Sequence, residues 1–361
     1  MARNINNDLS KGRGAQSKPT NRFEKHSHEW DAEYLEFARL EGEEIESART
    51  KFITVHPKSI VTANSSPDVP FKWSINPYQG CEHGCVYCYA RNSHEYWGYS
   101  AGEDFEKVIL VKESAPELLK KTLAKKSWNP EMIMLSGNTD CYQPCERKFG
   151  LTRKLLEIMN ECNHPVGIIT KNALILRDLD LLKELNKKNL LRVTLTITTL
   201  DEDLQRAMEP RTSSAKKRLK TLKTLTENGI NVNVNLAPII PGLNSHEIMN
   251  IAKEIGERGA YRMSYIMVRL NGQIAVVFSE WVKKAYPDRA EKVLNHIKET
   301  HGGNLNDSAW KHRMSGSGNI AKQIKDMVAI ATRKHIKTKE LEPLDCSSFK
   351  RPRLDGQLGM F

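Results

Sequence analysis

The residues with the most chemistry in this chain form a run of eight, Cys81-Glu-His-Gly-Cys85-Val-Tyr-Cys88. Three thiolates at C-x3-C-x2-C can ligate three irons of a four-iron four-sulfur cubane, leaving the fourth iron without a protein sulfur. An open iron of that kind is a place for a small molecule to coordinate. The same residue types also allow a tetrahedral zinc site, completed by His83 or by a residue distant in the chain. A disulfide framework explains them poorly, because the chain has seven cysteines, an odd number, and three lie together. Gly84 and the aromatic Tyr87 and Tyr89 suit a tight turn around a cluster.

Such a loop needs regular elements to hold it. From about residue 71, short apolar or β-branched runs alternate with helical stretches, the pattern of repeated βα units. Strands are expected at 72–76, 131–136, 166–170, 191–198, 231–237 and 263–269, with helices at 114–126, 146–160, 178–188, 214–228 and 245–258. The near-continuous apolar runs are those of strands covered on both faces. Six such strands make an α/β fold, a parallel sheet curving into an open barrel with its chemistry at the C-terminal strand ends. The cysteines come just after the first strand. Four regions are expected: a basic extension over 1–65 with an amphipathic helix at 29–48, the barrel over 66–275, a helical region over 276–340 (279–300 and 317–335), and a flexible tail over 341–361.

The cysteine spacing, with Tyr87 before the last thiol, resembles the signature of the radical S-adenosylmethionine (SAM) superfamily. That resemblance implies a partial (βα)6 barrel and a 4Fe-4S cluster whose open iron chelates the amino and carboxylate groups of SAM. One electron passed to the sulfonium then releases methionine and a 5′-deoxyadenosyl radical. It also implies a SAM cradle at the later strand ends, and candidates stand at each of them. Ser136, Asn138 and Asp140 follow the second strand, where the family carries a glycine-rich motif, although the usual Gly-Gly-Glu is absent. Lys171 ends the third strand, and Thr196 and Thr198 end the fourth. Arg211 offers a guanidinium to the SAM carboxylate. The turn Ile240-Pro241-Gly242 resembles the adenine-binding segment, and Tyr87 and Tyr89 border the cluster.

Longer stretches, SINPYQGCEHGCVYCYARNSHEY, SGNTDCYQPCER, TKNALILRDLDLL and MEPRTSS, are similar to the branch that contains spore photoproduct lyase and the photolyase-like bacterial proteins. In the lyase, a cysteine returns a hydrogen to the product radical, and Cys141 and Cys145 lie in the region where such a donor is expected. The other reading of these two thiols is as small packing residues. The aromatics Tyr78, Tyr87, Tyr89, Tyr96, Trp97 and Tyr99 are suited to stacking on an unpaired base or to walling a radical from water.

A formal charge of +11 favours a polyanionic partner through counterion release. Together with the branch, it makes DNA or another nucleic acid the expected substrate; modification of a protein or small molecule, or a non-catalytic iron–sulfur binding module, are the alternatives. The resemblance further implies a reductant such as flavodoxin or ferredoxin. The ending Gln357-Leu358-Gly359-Met360-Phe361 resembles the bacterial sliding-clamp-binding motif, in which Gln357, Leu358, Met360 and Phe361 would make the contacts. No segment reads as a secretory signal or a membrane span, so the expected location is the cytoplasm.

Overall fold

The structure, a computed structural model, describes residues 12–23, 50–310 and 312–354. The expected helix at 29–48 and the terminal motif at 357–361 lie outside the described residues. Ten strands are described: β1 (Lys51–Thr54), β2 (Val61–Ala63), β3 (Trp73–Ile75), β4 (Tyr78–Gln79), β5 (Val108–Val111), β6 (Ile133–Leu135), β7 (Val166–Thr170), β8 (Leu191–Thr196), β9 (Val232–Ile239) and β10 (Arg262–Met267). Six of them, β3-β6-β7-β8-β9-β10, pair in parallel and in chain order, and β2 adds an antiparallel edge to β3. This is the partial (βα)6 barrel expected, with a helical C-terminal region.

Helices cover the outside of the sheet: α1 (Ala115–Leu123), α2 (Leu151–Glu161), α3 (Leu179–Lys187), α4 (Ala215–Glu227) and α5 (Ile248–Glu257). In α5, Ile248, Ile251, Ala252 and Ile255 recur at helical spacing and are buried. They meet outward-facing Val232, Val234 and Leu236 of β9 in one core, so the 3.6-residue period of the helix and the two-residue period of the strand solve the same burial problem. β9 alternates on its other face to half-buried Asn233, Asn235 and Ala237. Those residues point into the barrel.

Two expected helices are divided. Residues 146–160 form a short helix, Glu146–Phe149, and then α2, because Gly150 adopts a left-handed φ of 63° between them. The stretch 279–300 becomes α6 (Ile274–Ala285) and α7 (Ala290–Thr300), interrupted where Pro287 removes a backbone donor and restricts Tyr286. The long helix near the C-terminus is α8 (Gly318–His335), packed on α5.

A second, small sheet of order β1-β5-β4 has no counterpart in the sequence reading. Its β4 runs directly into the cysteine loop. At the opposite end of the barrel, residues 339–350 lie across the loops that precede β7, β8 and β10, through Lys350 N to Cys162 O (2.7 Å), Asp345 N to Asn189 O (3.0 Å) and Lys339 N to Tyr261 O (3.3 Å). His164 is buried there against Phe349, with ring centroids 5.5 Å apart.

His164 also predicts a pH dependence. Trp128 Nε1–H donates to His164 Nε2 (3.2 Å), which needs that nitrogen unprotonated, and burial lowers the imidazole pKa to about 4. An unfolded histidine titrates near 6.5. Stability is therefore complete above pH 6.5 and falls as pH drops towards 4, by up to about 3 kcal/mol from this group. Denaturant unfolding of wild type and His164→Leu at pH 7 and pH 5 should show a smaller acid loss in the variant. Equal losses would contradict this assignment.

Candidate cofactor and substrate site at the barrel mouth

The cysteine loop is tied down at nearly every residue. Cys81 N donates to Phe105 O (2.8 Å) and Val86 N to Met208 O (3.1 Å), linking the loop to segments far apart in sequence. Gln143 takes it from both sides, accepting from Glu82 N (2.9 Å) and donating to Gly80 O (3.0 Å). Beneath it, fully buried Arg91 donates to Cys85 O (2.9 Å), Ala101 O and Gly102 O and pairs with buried Glu106 at 2.5 Å. Glu106 in turn accepts Gly14 N (3.1 Å) and Ala15 N (2.8 Å), so residues 12–23 form a strap on the loop's outer side. A Cβ on Gly14 would fall 1.8 Å from Gly84 O, which admits only glycine there without movement.

Within this frame the three thiols face a shared, desolvated space. Burial pushes Cys81 and Cys88 above the usual thiol range and Cys85 up to about 12, and the sulfurs of Cys85 and Cys88 add repulsion at Cys81. A metal-free chain therefore keeps them protonated, and a metal must supply the charge that makes them thiolates. The donor set fits an iron–sulfur cubane better than zinc. His83, the imidazole in the loop, has both ring nitrogens engaged: Nε2 by Asn172 Nδ2 at 3.0 Å and Nδ1 by Asp140 Oδ2 at 3.4 Å. Burial lowers its pKa to about 4, so the ring is neutral and its lone pair is taken. Among the described residues, no three His, Cys, Asp or Glu side chains converge as ligands of one ion do. A cubane needs one thiolate on each of three irons.

Beside the thiols lies a buried ion pair. Glu209 receives Arg218 on one oxygen and, on the other, the hydroxyls of Tyr87 and Thr198, the latter at 2.7 Å. Burial alone would raise the Glu209 pKa, but Arg218, Lys171 and these hydroxyls hold it at about 2. Arg218 also donates to Thr196 O (3.1 Å) and Ser213 O (2.7 Å). Behind this wall the lumen is polar: Asn233 Nδ2 bonds Thr194 Oγ1 (3.3 Å) and Ser264 Oγ (3.1 Å), and Ser264 Oγ reaches Asn235 Oδ1 (3.2 Å). These inward side chains are half-buried, unlike the packed interior of a closed eight-stranded barrel.

The model of the Radical SAM superfamily matches residues 75–255. The chain belongs to the radical SAM superfamily. It is 30% identical over 222 residues to an uncharacterised protein of Mycobacterium tuberculosis, a match covering 61% of this chain and 65% of that one. It is 31% identical over 249 residues to an uncharacterised protein of Methanocaldococcus jannaschii, covering 69% and 89%. The chain thus spans about two thirds, 65%, of the mycobacterial relative's length. Among solved structures, spore photoproduct lyase complexed with dinucleoside spore photoproduct is similar in fold, with a TM-score of 0.56, 16% identity and coverage of 79% of each chain. A variant of the same lyase with bound AdoMet and the dinucleoside gives 0.56 at 14% identity, covering 84% and 91%.

Against this radical SAM frame, the residues expected to cradle SAM divide into two groups. Tyr87, Thr196 and Thr198 gather around Glu209 and Arg218, and Lys171 stands with its ammonium 5.8 Å from the Tyr87 ring centre. Tyr89 is 50% exposed and donates to Gly137 O (2.7 Å). The others are engaged within the protein. Asp140 accepts Thr170 Oγ1 and Lys171 N, both at 2.8 Å, and so joins the ends of β6 and β7. Ser136, with φ 75°, accepts Cys141 N at 2.7 Å, and Asn138 bonds Ser93 Oγ at 3.0 Å. Arg211, expected at the SAM carboxylate, pairs instead with Glu82 at 3.2 Å, because both sit on the outer side of the cysteine loop. Ile240 is buried among Phe278, Trp281 and Val293, and Pro241 is buried beside it, while Gly242 is exposed near His296.

The structure does not bring Cys141 or Cys145 into the lumen. Cys141 is fully buried in the main core, its carbonyl bonded by Thr152 Oγ1 at 2.6 Å; Cys145 packs with Tyr78, Ile109 and Leu151. Burial pushes both thiols above the usual thiol range, so they are protonated and pack as small apolar residues do. The sequence reading missed Arg218 and the lumen residues Asn233, Asn235 and Ser264. Asparagine at every second position of a strand was the available signal for the first two of these lumen residues.

Proposed function

We propose that this protein is a radical SAM enzyme acting on nucleic acid. A four-iron cluster on Cys81, Cys85 and Cys88 would supply one-electron reductive cleavage of SAM. This chain's residues then have distinct tasks. The strap and Arg91 hold the loop, Lys171 and Glu209 set the charge beside the thiols, and the polar lumen receives the reacting group. The barrel interior is half-open at Asn233, Asn235 and Ser264, so a group inserted from outside meets hydrogen-bonding side chains.

The observation that carries the nucleic-acid reading is the pairing of exposed rings with guanidinium groups. Arg22 lies 4.9 Å from the ring centre of Phe23 and 5.7 Å from that of Tyr96, and Arg313 lies 5.0 Å from that of Trp310. Phe23, Tyr96 and Trp310 are all exposed. Exposed rings flanked by guanidinium groups are the ordinary equipment of single-strand binding, and here Glu95 at 3.0 Å and Asp68 at 2.5 Å hold Arg22 and Arg313 in place beside the rings. The net charge of +11 and the fold likeness to a lyase complexed with a dinucleoside photoproduct support the same reading.

The test is binding of the cluster-loaded protein to short single- and double-stranded DNA across a salt series. Affinity should fall steeply, with a log–log slope of about 0.7 to 0.9 per phosphate contacted. Undetectable binding at low ionic strength would transfer the proposal to a protein or metabolite substrate.

A further inference from the structure

Beyond β10 the chain keeps an extended course, with Val268 N bonded to Ile239 O (3.0 Å) and Leu270 N to Leu305 O (3.1 Å). Val268 and Leu270 are buried in the cluster around Phe278 and Trp281. In an extended segment the intervening residue turns to the opposite side. That residue is Arg269, half-buried, with Tyr89 of the cysteine-loop region as an electrostatic neighbour.

Among the described residues, Arg269 has no carboxylate to itself. The carboxylate near it, Asp68, is engaged by Arg313 Nε at 2.5 Å, and Arg313 also bonds Ser66 Oγ. Among the described residues, no hydrogen bond or ion pair engages the Arg269 guanidinium. Burial and the Arg313 charge lower its pKa, against the smaller opposing pull of Tyr89 and Asp68, as for a cation held partly away from water. Holding it there costs free energy that an arriving anion offsets. A guanidinium matches phosphate in geometry as well as charge.

Trp310 extends the same surface. Its loop is joined to β10 through Met267 N to Met314 O (2.9 Å), and Arg313 braces the indole from one side. The other parts of the ring are open, for it is 51% exposed. Asp68 belongs to the loop after β2 and Arg313 to the segment paired with β10. This ion pair therefore bridges the two edges of the open sheet beside Arg269.

We propose that Arg269 and Trp310 form a substrate subsite, Arg269 gripping a backbone phosphate and Trp310 stacking on a neighbouring base of a single strand. The subsite rests on the nucleic-acid reading above. It places the anchored phosphate at the β10 edge of the mouth, so that the next nucleotide faces the lumen.

The experiment measures binding of a fluorescent single-stranded oligonucleotide by cluster-loaded wild type, R269Q, R269K, W310A and K220Q across a salt series. Lys220 lies exposed on the outer face of α4 and controls for loss of charge alone. R269Q should bind several-fold more weakly at low salt, with the log–log slope reduced by about 0.7. R269K should keep the slope yet lose affinity, and W310A should lose affinity on the order of tenfold with its slope unchanged. Wild type that binds no oligonucleotide overturns the nucleic-acid reading itself. Wild type that binds, with R269Q and W310A binding equally well, overturns the subsite alone, as does a K220Q slope change as large as that of R269Q. If R269Q melts early and cannot be assayed, the R269K and W310A patterns decide.

Discussion

Protein carrying Cys81→Ala, Cys85→Ala or Cys88→Ala, reconstituted with iron and sulfide, is expected to lack the brown chromophore and to retain iron only at background. Each thiol would be the one protein ligand of its iron, and His83 is already held by Asn172 and Asp140. The reason is electrostatic as well as geometric. Burial raises the thiol pKa values, so thiolate forms only where iron stabilises it, and removing one ligand weakens the binding that keeps the other two deprotonated. Cys346→Ala, far along the chain at a half-buried position, should leave iron content and absorbance unchanged. Iron loading of any of these three variants equal to wild type would overturn the ligand assignment, and full loading of wild type by zinc in preference to iron would restore the zinc alternative.

The second large effect is expected at the Glu209–Arg218 pair. Both side chains are almost wholly buried, at 0% and 2% exposure. Arg218→Leu leaves a carboxylate in the interior with the Tyr87 and Thr198 hydroxyls and more distant Lys171, and losing one partner of a buried pair costs about 3–5 kcal/mol. The pH dependence should change with it. In wild type the Glu209 pKa is depressed from 4.5 to about 2, so its contribution is complete above 4.5 and is lost as pH falls towards 2. Without Arg218 that acid-side loss should shrink, because the depressed pKa depends on the guanidinium. Glu209→Leu with Arg218→Leu should recover much of the stability while still displacing Tyr87. Urea unfolding of the single and double variants measures this, and a single variant as stable as wild type would show that the pair is not a structural keystone of the site.

The six parallel strands were legible because apolar or β-branched residues recur along each, on the face a helix of matching period covers, even where the other face is polar as in β9 and β10. Ile248, Ile251, Ala252 and Ile255 show that period in α5, as do Val232, Val234 and Leu236 in β9. The small sheet was not legible. β4 has two residues and β5 four, and what defines them is pairing across some thirty positions, such as Tyr78 with Val111. The cysteines were readable because their spacing is itself the chemistry. The roles of Asp140 and Arg211 were not, since each is set by a partner distant in sequence, Thr170 and His83 for one and Glu82 for the other. Gly14 and Glu106 likewise reveal nothing alone; together they fasten the strap to the loop. Arg269 is an ordinary residue in the sequence, and only the engagement of Asp68 by Arg313 leaves it, among the described residues, without a carboxylate to itself.

The central claim is that these three thiols support reductive cleavage of SAM. The most direct measurement is anaerobic reconstitution of wild type with iron and sulfide, addition of SAM and dithionite, and quantification of 5′-deoxyadenosine over time. 5′-Deoxyadenosine should accumulate in proportion to cluster content and be absent from metal-free protein. A fully loaded protein with the absorbance of an intact cluster, reduced by dithionite and yet releasing no 5′-deoxyadenosine with or without an oligonucleotide present, would contradict it.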